Sequence, residues 1–121
     1  MEIAYVNAHV SGLSRSVEFY RDVLGLSPAF ADEEHGHASF FTGPISLGIA
    51  VVGEEDSALL GAHTGIGFNA ADLEAEHARL SKLGVAFSMP PSRQPWGGFM
   101  ALMDDPDGNV SYLDEITAAH S

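Results

Sequence analysis

The most constraining feature of this chain is that its two halves repeat. Val10, Gly12 and Leu13 match Ala70, Asp72 and Leu73 at a constant offset of 60 residues. Each match leads into a helix-like segment that closes on the same signature, Leu24-Gly25-Leu26 in one half and Leu83-Gly84-Val85 in the other. Self-similarity of this kind means that one supersecondary unit is used twice, because a single copy leaves an apolar face uncovered. A unit of about 55 residues cannot bury both faces of its own sheet, whereas the whole chain is long enough for one domain with a core.

Each half reads as a strand, a helix and three further strands. The leading strands are expected at 3–10 and 64–70. The first helix is expected from an N-cap at Ser14 to about Leu24, with Leu13, Val17, Tyr20 and Leu24 as its stripe and Gly25 as its stop. The second runs from the cap Asp72 to Leu83, with Leu73, His77, Leu80 and Leu83 as the stripe and Gly84 as the stop. Strand-like stretches follow at 27–30, 37–41 and 45–52, and again at 86–89, 99–103 and 110–113. The last two are joined by Asp105-Pro106-Asp107-Gly108-Asn109, a turn in which Pro fixes φ and Gly accepts a positive one. That motif is a turn device rather than a catalytic one. Residues 53–62 form a polar linker. The expected fold is therefore α+β: one domain over 1–121, with repeat one at about 1–52 and repeat two at about 63–115. Its two βαβββ repeats form a curved mixed sheet around a cavity, with helices on the outer face.

Composition removes several classes of function. Cysteine is absent, which excludes disulfides, thiolate metal sites and a Cys nucleophile. Seventeen acids face five bases (Arg15, Arg21, Arg79, Lys82, Arg93), for a formal charge of −12. That field repels phosphate backbones, so nucleic acid is not an expected partner. No stretch approaches the roughly 18 apolar residues of a membrane helix, and the N-terminus lacks a signal-peptide pattern. The expectation is a cytoplasmic protein with no membrane partner.

The segment Val10-Ser11-Gly12-Leu13, with Val17-Glu18-Phe19-Tyr20-Arg21-Asp22-Val23-Leu24-Gly25-Leu26, resembles the first strand and helix of the vicinal oxygen chelate superfamily, the glyoxalase/bleomycin-resistance group. His63 to Asp72 and the Asp105–Asn109 turn carry the same resemblance through the second half, so it spans about 3–115. Arg93-Gln94-Pro95-Trp96-Gly97-Gly98 is similar to a stretch of bleomycin-resistance proteins in particular. The resemblance implies three metal-ligand positions, usually His or Gln, His, and Glu. They fall here on Tyr5, His63 and Tyr112. A neutral phenol is a weak ligand, and a divalent ion needs about three good N or O donors. No metal and no cofactor is expected in that position. His35 and His37 could share a face, but they sit in an acid-rich turn that stays solvated; His77 reads as packed and His120 as part of the tail.

The family's ligand position turns the face of strand one bearing Tyr5, Asn7 and His9 toward the cavity, because side chains alternate along a strand. His63, Gly65 and Gly67 share the matching face of the repeat. Of Phe40 and Phe41, one faces the helices and the other the cavity. Trp96 offers a broad ring for stacking on a planar or cationic ligand. The expected ligand-binding set is Tyr5, Asn7, His9, Phe41, His63, Gln94, Trp96 and Tyr112, with no catalytic residue assigned. Two functional readings follow. One is a metal-independent protein that sequesters an antibiotic or another aromatic or cationic small molecule, working as a homodimer. The other is a lyase, isomerase or dioxygenase with a displaced metal or none, in which His63 pairs with Tyr5 or Tyr112 for acid–base chemistry.

Overall fold

The computed structural model describes residues 1–116; His120 lies outside the described residues. The element order is β1 (Tyr5–Val10), α1 (Leu13–Glu18), β2 (Ser27–Asp32), β3 (His37–Phe41), β4 (Ser46–Val51), β5 (His63–Asn69), α2 (Leu73–Lys82), β6 (Phe87–Arg93), β7 (Phe99–Asp104) and β8 (Val110–Asp114). This is the expected α+β class with two βαβββ repeats. The eight strands form two four-stranded mixed sheets, ordered β1-β4-β3-β2 and β5-β8-β7-β6. In each the leading strand runs parallel to the last strand of its own repeat, and the other pairings are antiparallel. The chain divides into two compact units. Unit one holds Met1–Ala62 with Pro106–Asn109, and unit two holds His63–Asp105 with the residues from Val110 on.

Period-two alternation sets the core of unit one. Ala8 and Val10 of β1, Ala38 and Phe40 of β3, and Leu47 and Ile49 of β4 are buried. The helix covers them with Phe19 and Tyr20, whose ring lies 6.0 Å from Phe40. In unit two Leu73 and Leu80 of α2 play this part, with Ala101, Met103 and Leu113 beneath.

Both helices start at the 60-residue offset, on N-caps Gly12 and Asp72. Ser14 is therefore not the cap of α1; it lies one residue inside the first turn. Of the expected stripe only Tyr20 is buried, and the buried face is completed by Ser16 and Phe19. A buried serine hides that face from a hydrophobicity pattern. Past Glu18 the helix widens into a π-turn over Phe19–Val23, where the Leu24 N–H reaches the Phe19 carbonyl at 3.0 Å. Asp72 does cap α2, accepting from the Ala75 N–H. Gly84, at φ 92°, ends it: Val85 N–H donates to Leu80 and Gly84 N–H to Ser81, a Schellman motif. His77 packs its ring on Phe87 at 4.5 Å, whereas Leu83 stays exposed. Within the linker, Glu54–Leu59 winds into a short 3₁₀ segment.

The Asp-Pro-Asp-Gly-Asn turn is more than a bend. Although it joins β7 to β8, Pro106–Asn109 counts with unit one, and its side chains explain why. Asp107 accepts from the backbone N–H and hydroxyl of Ser11 and from Arg15 at 3.1 Å. Asn109, 2% exposed, donates to the His9 carbonyl at 2.8 Å and accepts from the Ala62 N–H at 3.2 Å. Asn109→Ala strands both backbone groups. It is expected to lower stability by about 2 kcal/mol, read as a fall in the urea midpoint at constant m-value.

Candidate functional site

The outer face of the unit-one sheet carries what the alternation excludes from the core. Tyr5 and Asn7 of β1, His37 and Ser39 of β3, and Ser46 and Gly48 of β4, with Ala4, line a cavity of about 410 Å³. Cross-strand register explains the grouping. Asn7, Gly48 and Ser39 form one row across the sheet, and Tyr5, Ser46 and Phe41 form the next. Gly48 makes the arrangement sterically workable. A Cβ there would come within 2.0 Å of the Asn7 carboxamide oxygen, so the Asn7 side chain lies across the space that the missing group leaves. His37 stands at the rim, its ring 5.7 Å from that of Phe30.

The lining offers a phenol, a carboxamide, an imidazole and two hydroxyls. Such a set hydrogen-bonds in both directions without any fixed charge. Tyr5 and Phe41 are 63% and 62% exposed, and they add apolar ring surface along the Tyr5–Ser46–Phe41 row.

The expected site residues therefore fall into distinct places. Tyr5 and Asn7 line the cavity. His9 shares their strand face one row on, opposite Ala50, and Phe41 shares the face of His37 and Ser39. Of the phenylalanine pair, Phe40 faces the helix. His37, Ser39, Ser46 and Gly48 were not in the expected set; a glycine inside an otherwise apolar strand was the available signal for Gly48.

His63 and Tyr112 meet in unit two, their rings 4.9 Å apart and edge to face. The His63 Nδ1 accepts from the Gly65 N–H at 3.2 Å, which places the proton of the neutral ring on Nε2. Asp114, two residues beyond Tyr112 on the same strand face, reaches over Gly67, 3.6 Å from where a Cβ would stand. Its carboxylate has no hydrogen bond or ion pair among the described residues. Burial pushes its pKa above the usual 3.8. Gln94 and Trp96 lie on the β6–β7 hairpin, where the Gln94 amide donates back to the Ser92 carbonyl. Trp96, 71% exposed, folds its indole onto Gly98.

His63 stands beside the Tyr112 phenol, and its Nδ1 already accepts from the Gly65 N–H. Among the described residues, the one trio of acids and histidine with ligating atoms within 4.8 Å is Asp32, Glu34 and His35, in the exposed β2–β3 turn. There His35 Nδ1 pairs with Asp32 at 2.8 Å, which holds the Asp32 carboxyl below its ordinary range.

Residues 2–111 match the family model of the Glyoxalase/Bleomycin resistance protein/Dioxygenase superfamily. YraH of Bacillus subtilis (strain 168), described as an uncharacterized protein, is 28% identical, over 91% of this chain and 94% of its own. Among solved structures, TnmS3, an antibiotic binding protein from Streptomyces sp. CB03234, superposes with a TM-score of 0.80 at 26% identity, covering 97% of each chain. A lactoylglutathione lyase from Agrobacterium tumefaciens superposes at 0.77 with 21% identity, covering 94% of this chain and 92% of that one, a likeness of fold.

Two measurements check this geometry. Gly48→Ala forces only the flexible end of Asn7 to move, so it is expected to cost less than about 1 kcal/mol while shifting the Asn7 side-chain amide resonances. Large destabilisation with an unmoved Asn7 would contradict the packing described. For Asp114, a raised native pKa means that the folded protein holds the proton more tightly than the unfolded chain. Its contribution to stability is present below the ordinary value of 3.8 and is lost as pH rises through the higher native value. Asp114→Asn should remove that decline, visible in the difference between the two stability–pH curves.

Proposed function

The chain belongs to the Glyoxalase/Bleomycin resistance protein/Dioxygenase superfamily, and within it we propose that it is a metal-independent protein that binds and sequesters a small aromatic compound. The observation that carries this reading is the unit-one cavity. Its volume lies within the roughly 300–1,000 Å³ of small-molecule sites. Its lining combines hydrogen-bonding groups without a carboxylate or fixed cation. A planar ring system bearing hydroxyl and carbonyl groups suits it: Tyr5 and Phe41 supply ring contacts, while Asn7, His37, Ser39 and Ser46 match the polar edge. An antibiotic is one such compound, in keeping with the antibiotic-binding description of TnmS3.

Metal independence follows from donor chemistry. Tyr5, His63 and Tyr112 supply one imidazole and two phenols, and a phenol with a pKa near 10 is a poor ligand at neutral pH. We assign His9 and Phe41 as flanking contacts, and Gln94 and Trp96 as contacts offered by their hairpin. The two repeats are taken to act as one domain, and two chains to pair as a cytoplasmic homodimer. The exposed edge strand β2 favours pairing.

Calorimetric titration with hydroxylated planar aromatics, in the presence and absence of EDTA, tests the reading. Binding is expected to be unchanged by the chelator, and His37→Ala or Asn7→Ala to weaken it about tenfold, the loss of one good hydrogen bond. Turnover that disappears with EDTA, or binding indifferent to both substitutions, would overturn it.

A further inference from the structure

We propose that the unit-one cavity selects compounds carrying an acidic aromatic hydroxyl, and that His37 takes up the proton of that hydroxyl. The ligand is then held as an oxyanion beside an imidazolium. This deepens the binding reading of the same cavity and rests on it.

Three features converge on His37. The first is position. On the outer face of the unit-one sheet, one row runs His9, Ala50, His37 and Asp32, and the next runs Asn7, Gly48, Ser39 and Phe30. Gly48 leaves a gap at their meeting: a Cβ there would touch the Asn7 carboxamide and stand 3.5 Å from His37 Nε2. A ligand oxygen seated over Gly48 therefore meets Nε2 on one side and the carboxamide on the other, with Ser39 next along the row.

The second is freedom to change protonation state. Neither ring nitrogen of His37 has a hydrogen bond among the described residues; the ring's contact is with Phe30. The neutral imidazole can keep its proton on Nδ1 and offer Nε2 as an acceptor, and no existing bond breaks when Nε2 gains a proton. Among the types of group that line the cavity, imidazole is the one that exchanges a proton near neutrality.

The third is what stabilises the charged ring. Phe30 lies 5.7 Å away and tilted by 52°, close enough for an aromatic ring to attract a cation. The titratable groups on this face are Tyr5 and His9 from β1 and Asp32 from β2; β4 contributes none, and α1 packs on the opposite, buried face. Asp32 stands directly opposite His37, but its carboxylate accepts from the backbone N–H of His35 and pairs with that residue's ring. It adds negative charge beside His37 without occupying either of its nitrogens.

In the transfer, the ligand O–H bond breaks with its electron pair left on oxygen, and an N–H bond forms at Nε2. The oxyanion accepts from that N–H, and the Asn7 carboxamide and the Ser39 and Ser46 hydroxyls are further donors. Selectivity follows from where the charge appears. A carboxylate or phosphate is already ionised in water and meets the field of the −12 chain as it approaches. A hydroxyl of acidity near that of imidazole arrives neutral and ionises in place. An ether has no proton to give and gains ring contacts alone.

The test is an absorbance titration of the full chain with 7-hydroxycoumarin, whose neutral and anionic forms absorb at different wavelengths, beside its methyl ether, 7-methoxycoumarin. At a pH where the free compound is neutral, bound 7-hydroxycoumarin is expected to show the anion band. Its affinity should exceed that of the ether about tenfold. That affinity should also fall on either side of a plateau, as acid charges the free imidazole and as alkali ionises the free ligand. In His37→Gln the anion band should be missing and the two compounds should bind alike. A bound 7-hydroxycoumarin that stays neutral in the wild-type protein, a readout that needs no variant to fold, would overturn the proton transfer. So would an ether bound as tightly. If both compounds then still shift the Asn7 and Ser39 amide resonances to saturation, the aromatic-binding reading stands without it. Binding of neither compound would overturn both.

Discussion

Everything in this protein depends on one geometrical fact, that neighbouring side chains of a strand point to opposite faces while each sheet has a single helix to cover it. In unit one the helix covers Ala8, Val10, Ala38, Phe40, Leu47 and Ile49. The residues between them are forced onto the other face, and there they are Tyr5, Asn7, His37, Ser39 and Ser46. The core and the candidate site are two readings of the same strands. A polar residue that slipped by one position would empty the site and disrupt the core together.

The two repeats solve the crowding of their outer faces in opposite ways. In unit one the side chain is on the leading strand and the glycine on its partner, so that Asn7 lies across Gly48. In unit two the glycines are on the leading strand and the side chains on its partner, so that Tyr112 and Asp114 stand beside Gly65 and Gly67. One backbone plan thus yields an uncharged hydrogen-bonding cavity in one unit and an acid with two aromatic rings in the other. His63 and Tyr112, on which the resemblance puts two of the metal-ligand positions, form a ring pair.

Much of the architecture was legible beforehand, and the reason is instructive where it failed. The repeat offset alone places Gly12 and Asp72 as equivalent, and both are the N-caps. The local rule that favours serine pointed instead to Ser14. Ser11 and Arg15 are held by Asp107, 96 and 92 residues away in sequence, so the entry to α1 is fixed by a turn that no local window contains. The same turn read as a bend and nothing more, because its hydrogen bonds to His9, Ser11 and Ala62 are all long-range. Likewise the buried stripe of α1 was legible only at Tyr20, because another of its members is Ser16.

The sequence by itself determined the repeat, the succession of elements within each half, the family, and phenols at two of the three positions that the resemblance implies for metal ligands, since these are properties of residue identity and spacing. Only the tertiary structure decided which residues share a cavity. His37 and Ser46 become neighbours of Asn7 through cross-strand register, and the Asp114 carboxylate has no hydrogen-bond partner among the described residues. Register and burial are set by the pairing of distant segments, and no stretch of chain carries them alone.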